Sequence, residues 1–283
     1  MSSLELTNIQ QKIGCAPESI QQALQNPRGC LIPKDPGRDL LIVDADQLPP
    51  KKGLSLQEGQ GRLLHDLAGI ELQAFELGLR TLIEFPEAPP IFRQQLAEIV
   101  LSEANHLKLC LQALETLGFS WGHWPTHLAL WRSVSSEDSL LDRVLIVHRY
   151  LEGSGLDAGD TILRRLYGVT ESHCHHVIKV IVKEEVDHVR FGSDWYRELC
   201  LLDGIDPEQD FPQRMANIRE KVPKRIEPIS VVLRTQAGFS DAEIHYLQEL
   251  RASMSKFPSK LDRQAIQDCR SVPTHLVSIL GLN

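Results

Sequence analysis

Glu103-Ala104-Asn105-His106 and Glu185-Val186-Asp187-His188 decide how this chain is read. Each Glu-x-x-His tetrad lies inside a run of apolar residues at three-and-four spacing. Each also follows an isolated Glu in another such run, Glu71 in the first case and Glu152 in the second. On a helix, residues three apart lie about 60° from one another on one face, so each tetrad presents a carboxylate and an imidazole the same way. One Glu from each of two helices plus Glu-x-x-His from each of two more is the ligand set of a carboxylate-bridged di-metal centre in a four-helix bundle. Glu71 precedes Glu103 by 32 positions and Glu152 precedes Glu185 by 33, so the halves read as one helix hairpin used twice.

Outward from the tetrads, the stripe Leu63, Leu67, Ile70, Ala74, Gly78 and Leu82 predicts a first helix from about Leu56 to Glu84. Pro86, Pro89 and Pro90 break it, and a second helix runs from about Ile91 to Leu117, closed by Gly118. Phe119 to Ser136 contains Trp121, Trp124 and Trp131, which read as packing residues, and has the length of a crossover between two hairpins. Ser136-Glu137-Asp138 reads as the N-cap and acidic first turn of a third helix reaching about Tyr167, and a fourth spans about Thr170 to Leu202. Gly153, Gly155 and Gly159 follow Glu152. Each costs a helix about 1 kcal/mol relative to Ala, so they point to close packing or a local distortion beside the site. The expected fold is all-α: an N-terminal extension over 1–55 packed on the bundle, the bundle over 56–202, and a C-terminal helical extension over 203–283. Short helices are expected near Glu18 to Leu24, Pro207 to Lys221 and Asp241 to Met254.

The whole chain sets outer bounds. Its 283 residues, 42 % hydrophobic, suffice for a full core. A formal charge of −8 argues against a non-specific polyanion binder, whose affinity rests on Lys and Arg neutralising phosphates. From residue 211 onward eleven Lys/Arg stand against seven Asp/Glu, which reads as a solvated helix face. Six cysteines without a C-x-x-C pair read as reduced thiols of a cytoplasmic protein. No leader pattern opens the chain and no run approaches about 18 uninterrupted apolar residues, so neither secretion nor membrane spanning is expected.

Burying a bare carboxylate costs several kcal/mol, so four Glu and two His on converging faces call for a cation. Carboxylate oxygens with one imidazole per ion favour iron or manganese over zinc in a thiolate site, and two iron ions are the expectation, with manganese as the alternative. Glu71 and Glu152 are expected as terminal ligands, Glu103 and Glu185 as bridges, and His106 and His188 as one imidazole per ion. Glu184, four residues before His188, reads as an acid outside the ligand set, and His148, one turn before Glu152, as its hydrogen-bonding partner. His173-Cys174-His175-His176, at the start of a helix, is not read as a metal tract. His65, Asp66, Asp157, Asp160 and Asp187 stand as unranked orienting groups.

From about Arg62 to Cys200 the chain resembles a family of ferritin-like proteins of undetermined function. The resemblance is carried by Ile70-Glu71-Leu72-Gln73-Ala74, Glu103-Ala104-Asn105-His106, His127-Leu128-Ala129-Leu130-Trp131, Leu151-Glu152-Gly153-Ser154-Gly155-Leu156-Asp157 and Glu184-Glu185-Val186-Asp187-His188-Val189. It implies a ferritin-like fold and the same six ligands. Gly69 stands where relatives tend to have His, and His148 where a Pro is usual. The wider superfamily includes a tRNA-modifying di-iron hydroxylase, soluble oxygenases, manganese catalases and ferritins. By that analogy the expected function is a di-iron carboxylate oxidoreductase activating dioxygen to oxidise or hydroxylate an organic substrate, either a small molecule or RNA-borne. The electron donor is left open, as is homodimer formation, and no membrane partner is expected. The alternatives are an iron-handling or peroxide-detoxifying protein without organic substrate, and a non-catalytic metal-binding scaffold. An elongated apolar pocket beside the metals favours the first reading, an open acidic channel and a shell-like oligomer the second.

Overall fold

The computed structural model describes residues 3–167 and 173–255. Among them the chain is all-helical, with no strand and a single isolated bridge pairing Ile42 with Thr126. Helices α1 (Ile9–Gly14) and α2 (Ala16–Gln25) open it, the first capped by the Asn8 side chain, which accepts the Gln11 N–H. They lie against the two helices that follow. Lys12 and Arg38 reach the fully buried Glu76 at 2.6 and 2.5 Å, so two cations from the N-terminal segment neutralise one carboxylate of the core.

Helix α3 (Gln57–Glu84) and α4 (Pro90–Thr116) begin and end within a residue of the expected positions. The reasons are local. Pro90 occupies the first position of α4, where its missing N–H costs nothing. Gly118, at φ +73°, closes α4 in a left-handed conformation that a Cβ would oppose. Between hairpins, the crossover is held by the buried Gln73, whose side-chain oxygen accepts the Leu130 and Trp131 N–H groups at 3.1 and 3.2 Å. Trp131 donates its ring N–H to Lys34 O at 2.9 Å and packs as the largest fully buried side chain.

The third long stretch is α5 (Leu140–Val144), a π-helical segment Leu145–Glu152, and α6 (Gly153–Leu166), joined without a break. It starts three residues later than expected. Ser139, not Ser136, is the N-cap, exchanging hydrogen bonds with Asp142 in a capping box. Asp138 is withdrawn from that task because it closes a turn on the Ser135 N–H (2.6 Å) and faces the buried Arg143. Helix α7 (His173–Leu202) completes the long elements; residues 170–172 of the expected fourth helix lie outside the described residues.

Helix α3 packs along α4, and α7 lies against α4, the π segment and α6. One continuous apolar core runs through them. The C-terminal segment forms α8 (Pro207–Ile218), α9 (Val231–Gln236) and α10 (Asp241–Ser255); α9 was not expected. Its basic residues are only partly a solvated face: Arg234 and Arg251 are 1 % and 9 % exposed and both bond the buried Asp157. A buried guanidinium needs a carboxylate, and the bundle supplies one. Among the described residues no helix is long and apolar enough to cross a membrane.

Candidate metal centre

The centre is assembled from facing turns of α4 and α7. Glu103, His106, Glu185 and His188 each offer a ligand atom within 4.8 Å of the others. Nδ1 of His106 lies 3.4 Å from Glu71, 3.6 Å from Glu103 and 3.4 Å from Glu185. Nδ1 of His188 lies 2.8 Å from Glu103 and 3.3 Å from Glu185. The two tetrad carboxylates therefore stand between both imidazoles, whereas Glu71 faces His106. Glu152 is set apart from the four-residue group: both its oxygens are 2.9 Å from His148 Nδ1. All four carboxylates nonetheless line one cavity.

These six residues are between 0 and 9 % exposed, which makes bare charge expensive. His106 Nδ1, His188 Nδ1 and both oxygens of Glu103 are buried without a hydrogen bond, although His188 Nδ1 and a Glu103 oxygen are 2.8 Å apart. They are close but do not point at one another. An orphaned buried polar atom costs about 1–3 kcal/mol, more when charged, and four in one place are a cost that a bound cation would offset. Imidazole nitrogen with carboxylate oxygen suits a divalent first-row metal, and the group could hold one. The tautomer agrees: His106 Nε2 lies 2.8 Å from Glu184, which accepts its proton and leaves Nδ1 free to bind metal.

Without a metal the site stores electrostatic tension. Burial raises the Glu71 pKa well above the ordinary carboxylate value; the neighbouring His106 imidazole opposes this, while the Glu103 and Glu185 charges add to it. Burial likewise raises Glu152, against the opposing pull of His148. For His188, burial works against the charged form but the Glu185 and Glu103 carboxylates outweigh it and push its pKa up to about 11. His106 is raised by Glu103, Glu185 and Glu71 in the same contest with burial. In Glu103, burial is overridden by His188 and His106 and the pKa falls. Protons thus occupy the imidazoles when no cation does.

Local backbone choices set this geometry. The π segment ends at Glu152 and carries His148, and such segments alter which side chains face inward. Gly192 of α7 lets His148 pack there; a Cβ would come within 2.5 Å of the His148 Cβ. Gly78 closes on Val100 and Gly159 on Val182, where added Cβ atoms would meet side-chain carbons at 2.4 and 2.3 Å. Both glycines lie seven residues after their Glu, and both valines three before theirs. Sequence reasoning passed over this second layer of the repeat, which was there as Glu-x6-Gly and Val-x2-Glu-x2-His. At Gly69 a Cβ would stand 2.7 Å from Thr126 Oγ1, so the crossover fills that space.

The remaining candidates sort by contact. Asp66 is held by Arg62 and Lys51, and Asp160 pairs with Arg164 on the surface. Asp187 lines an outer groove. His65 stacks on Trp121 at 4.9 Å, and burial lowers its pKa to about 4, leaving it neutral. Asp157, five residues beyond Glu152, anchors α9 and α10 through Arg234 and Arg251 rather than orienting a ligand. Among the described residues no other group of three metal-binding side chains converges, the histidines at the start of α7 included.

A protein of Haemophilus influenzae described as uncharacterised is 26 % identical to this chain over 243 residues, covering 81 % of this chain and 83 % of the relative. No solved structure matches. Residues 5–245, a span that includes both hairpins, match the family described as protein of unknown function (DUF455), and the chain belongs to that family.

Proposed function

We propose that the four long helical stretches form a ferritin-like bundle holding two iron ions, and that the protein is an oxidoreductase using dioxygen on an organic substrate. Glu71, Glu103, His106, Glu152, Glu185 and His188 are the proposed ligands. The observation that carries this reading is the set of orphaned Nδ1 and carboxylate atoms converging beside a cavity with apolar walls. Ferrous iron, when bound, supplies the electrons with which dioxygen is activated. The chain's own groups do the rest. Glu103 and Glu185, within reach of both imidazoles, would hold the metal between the two tetrads. Glu184 holds the proton of His106 on Nε2, and His148 Nδ1 holds Glu152 at the cavity wall. The aliphatic lining excludes water from the reacting side of the centre.

One observation favours iron handling without an organic substrate: an outer groove lined by Glu98, Asp187, Asp194 and Glu198 reaches His188. Anaerobic Fe(II) loading with metal counting, then exposure to dioxygen followed by optical spectroscopy, separates the readings. Two irons per chain, lost in Glu103→Ala, with a single oxidation event, are expected. Equal iron retention in wild type and Glu103→Ala overturns the ligand assignment, and continued iron uptake beyond two per chain moves the function to storage.

A further inference from the structure

We propose that the cavity beside the carboxylates takes a linear aliphatic chain ending in an anionic group, a carboxylate or phosphate monoester, with its tail towards the glutamates and its head at the opposite mouth. This rests on the oxidoreductase reading of the same site and names the ligand class. The cavity has a volume of about 240 Å³ and lies between α3 on one side and the π segment, α6 and α7 on the other. Leu63, Leu67, Ile70, Leu151, Ile162 and Ile181 give it an aliphatic wall. Such a surface has no donors or acceptors with which to read a polar ring, and it rewards methylene groups at about 0.8 kcal/mol each.

Charge fixes the direction. Glu71, Glu103, Glu152 and Glu185 line the same cavity, and the two proposed divalent ions would balance their charge, so that end offers an anionic head no unpaired cationic side chain. The far end meets a vestibule of about 330 Å³, and together they are rimmed by Lys51, Lys52, Arg165 and Arg225 against Asp66 and Glu227. Asp66 is already taken by Arg62 and Lys51, and Lys52 pairs with Glu58. Arg225 is left over: its Nε is buried with no hydrogen-bond partner, and it lines the cavity. An unpaired guanidinium at the mouth of an apolar channel is a carboxylate or phosphate receptor in waiting.

The test uses the full chain, with and without iron, and titration calorimetry with dodecanoate, dodecyl phosphate, dodecanol and dodecylamine. Saturable binding of an anionic probe is expected, about tenfold tighter than dodecanol or dodecylamine, with the tighter of the two anions identifying the head group. Arg225→Ala should erase that preference while leaving dodecanol affinity unchanged. Ala158→Phe should abolish binding of every probe, because Ala158 lines both the cavity and its vestibule, so a ring there stands in the passage between them. Equal affinity for acid and amine, or binding indifferent to both substitutions, overturns the proposal. Iron counted in the same samples keeps the two readings apart: iron held without anion binding sinks only this inference, and anion binding by a chain that holds no iron sinks only the metal centre.

Discussion

Glu184 and Glu185 are adjacent, yet one turns towards solvent and the other into the core, and the difference gives each a separate task. Glu185 is 8 % exposed and lies between both imidazoles, whereas the half-exposed side chain of Glu184 reaches back across the helix pair to His106 Nε2. Spacing alone could rank Glu185 above Glu184, because three residues keep a carboxylate and an imidazole on one face. It could not show Glu184 meeting a histidine 78 positions away, since that contact depends on how α4 and α7 are juxtaposed. The expected consequence is graded. Glu184→Ala should weaken iron affinity by about 10- to 100-fold, as loss of a group that orients a ligand does, while Glu185→Ala should prevent iron retention. Glu184→Gln, which can still accept from Nε2, should recover most of the loss. Competition with a calibrated chelator measures all three; identical affinities for Glu184→Ala and wild type would show that His106 needs no such support.

Where an element's boundary is written in backbone chemistry, the sequence shows it; where tertiary contacts choose between equal local options, it does not. Pro90 and Gly118 mark the ends of α4 unaided. The start of α5 offers two equivalent boxes, Ser135-x-x-Asp138 and Ser139-x-x-Asp142, and Arg143 settles the choice by occupying Asp138. The π segment was only hinted at by the glycines that follow it, because His148, Arg149 and Glu152 are buried with its apolar residues and leave no solvated stripe to reveal a change of period. The close helix contacts are a middle case. Gly159 suggested packing and Gly78 stood in the stripe of the first helix, but only the fold pairs them with Val182 and Val100. Gly159→Ala should force α6 and α7 apart beside Glu185 and destabilise the protein by about 1–3 kcal/mol, the range for overpacking. Adding Val182→Ala should return much of it, since the intruding methyl then finds the space that Val182 Cγ2 left. Denaturant unfolding of the two single variants and the double variant reads this coupling, and additive effects would place the strain elsewhere.

Across the whole molecule, the extensions lock onto the helices that carry the centre. Lys12 and Arg38 grip Glu76 of α3 from one end of the chain, and Arg234 and Arg251 grip Asp157 of α6 from the other. A centre rich in buried charge is therefore framed by helices that both extensions pin, and protons, or a metal if one is bound, offset its cost. Glu71 and Glu152 have raised pKa values, and a raised carboxylate contributes stability that is lost as pH rises through its folded value. His188, pushed up to about 11, contributes stability that is complete below its unfolded value and disappears as pH climbs towards 11. All three shifts act in the same direction. Metal-free protein should accordingly lose thermal stability steadily between about pH 6.5 and 9, where unfolding frees the proton that folded His188 retains. In the proposed centre iron would take the place of those protons, so its affinity should increase over that window, and the rise in Tm on adding a fixed excess should grow with pH. Bound at a hundredfold over its Kd, an ion stabilises by about 2.7 kcal/mol, enough to read easily in a thermal scan. Scans of metal-free and Fe(II)-loaded protein under anaerobic conditions at several pH values check both slopes. A metal-induced increase that does not depend on pH would mean that the ion binds where His106 and His188 do not hold protons, and the centre would have to be sought away from the two tetrads.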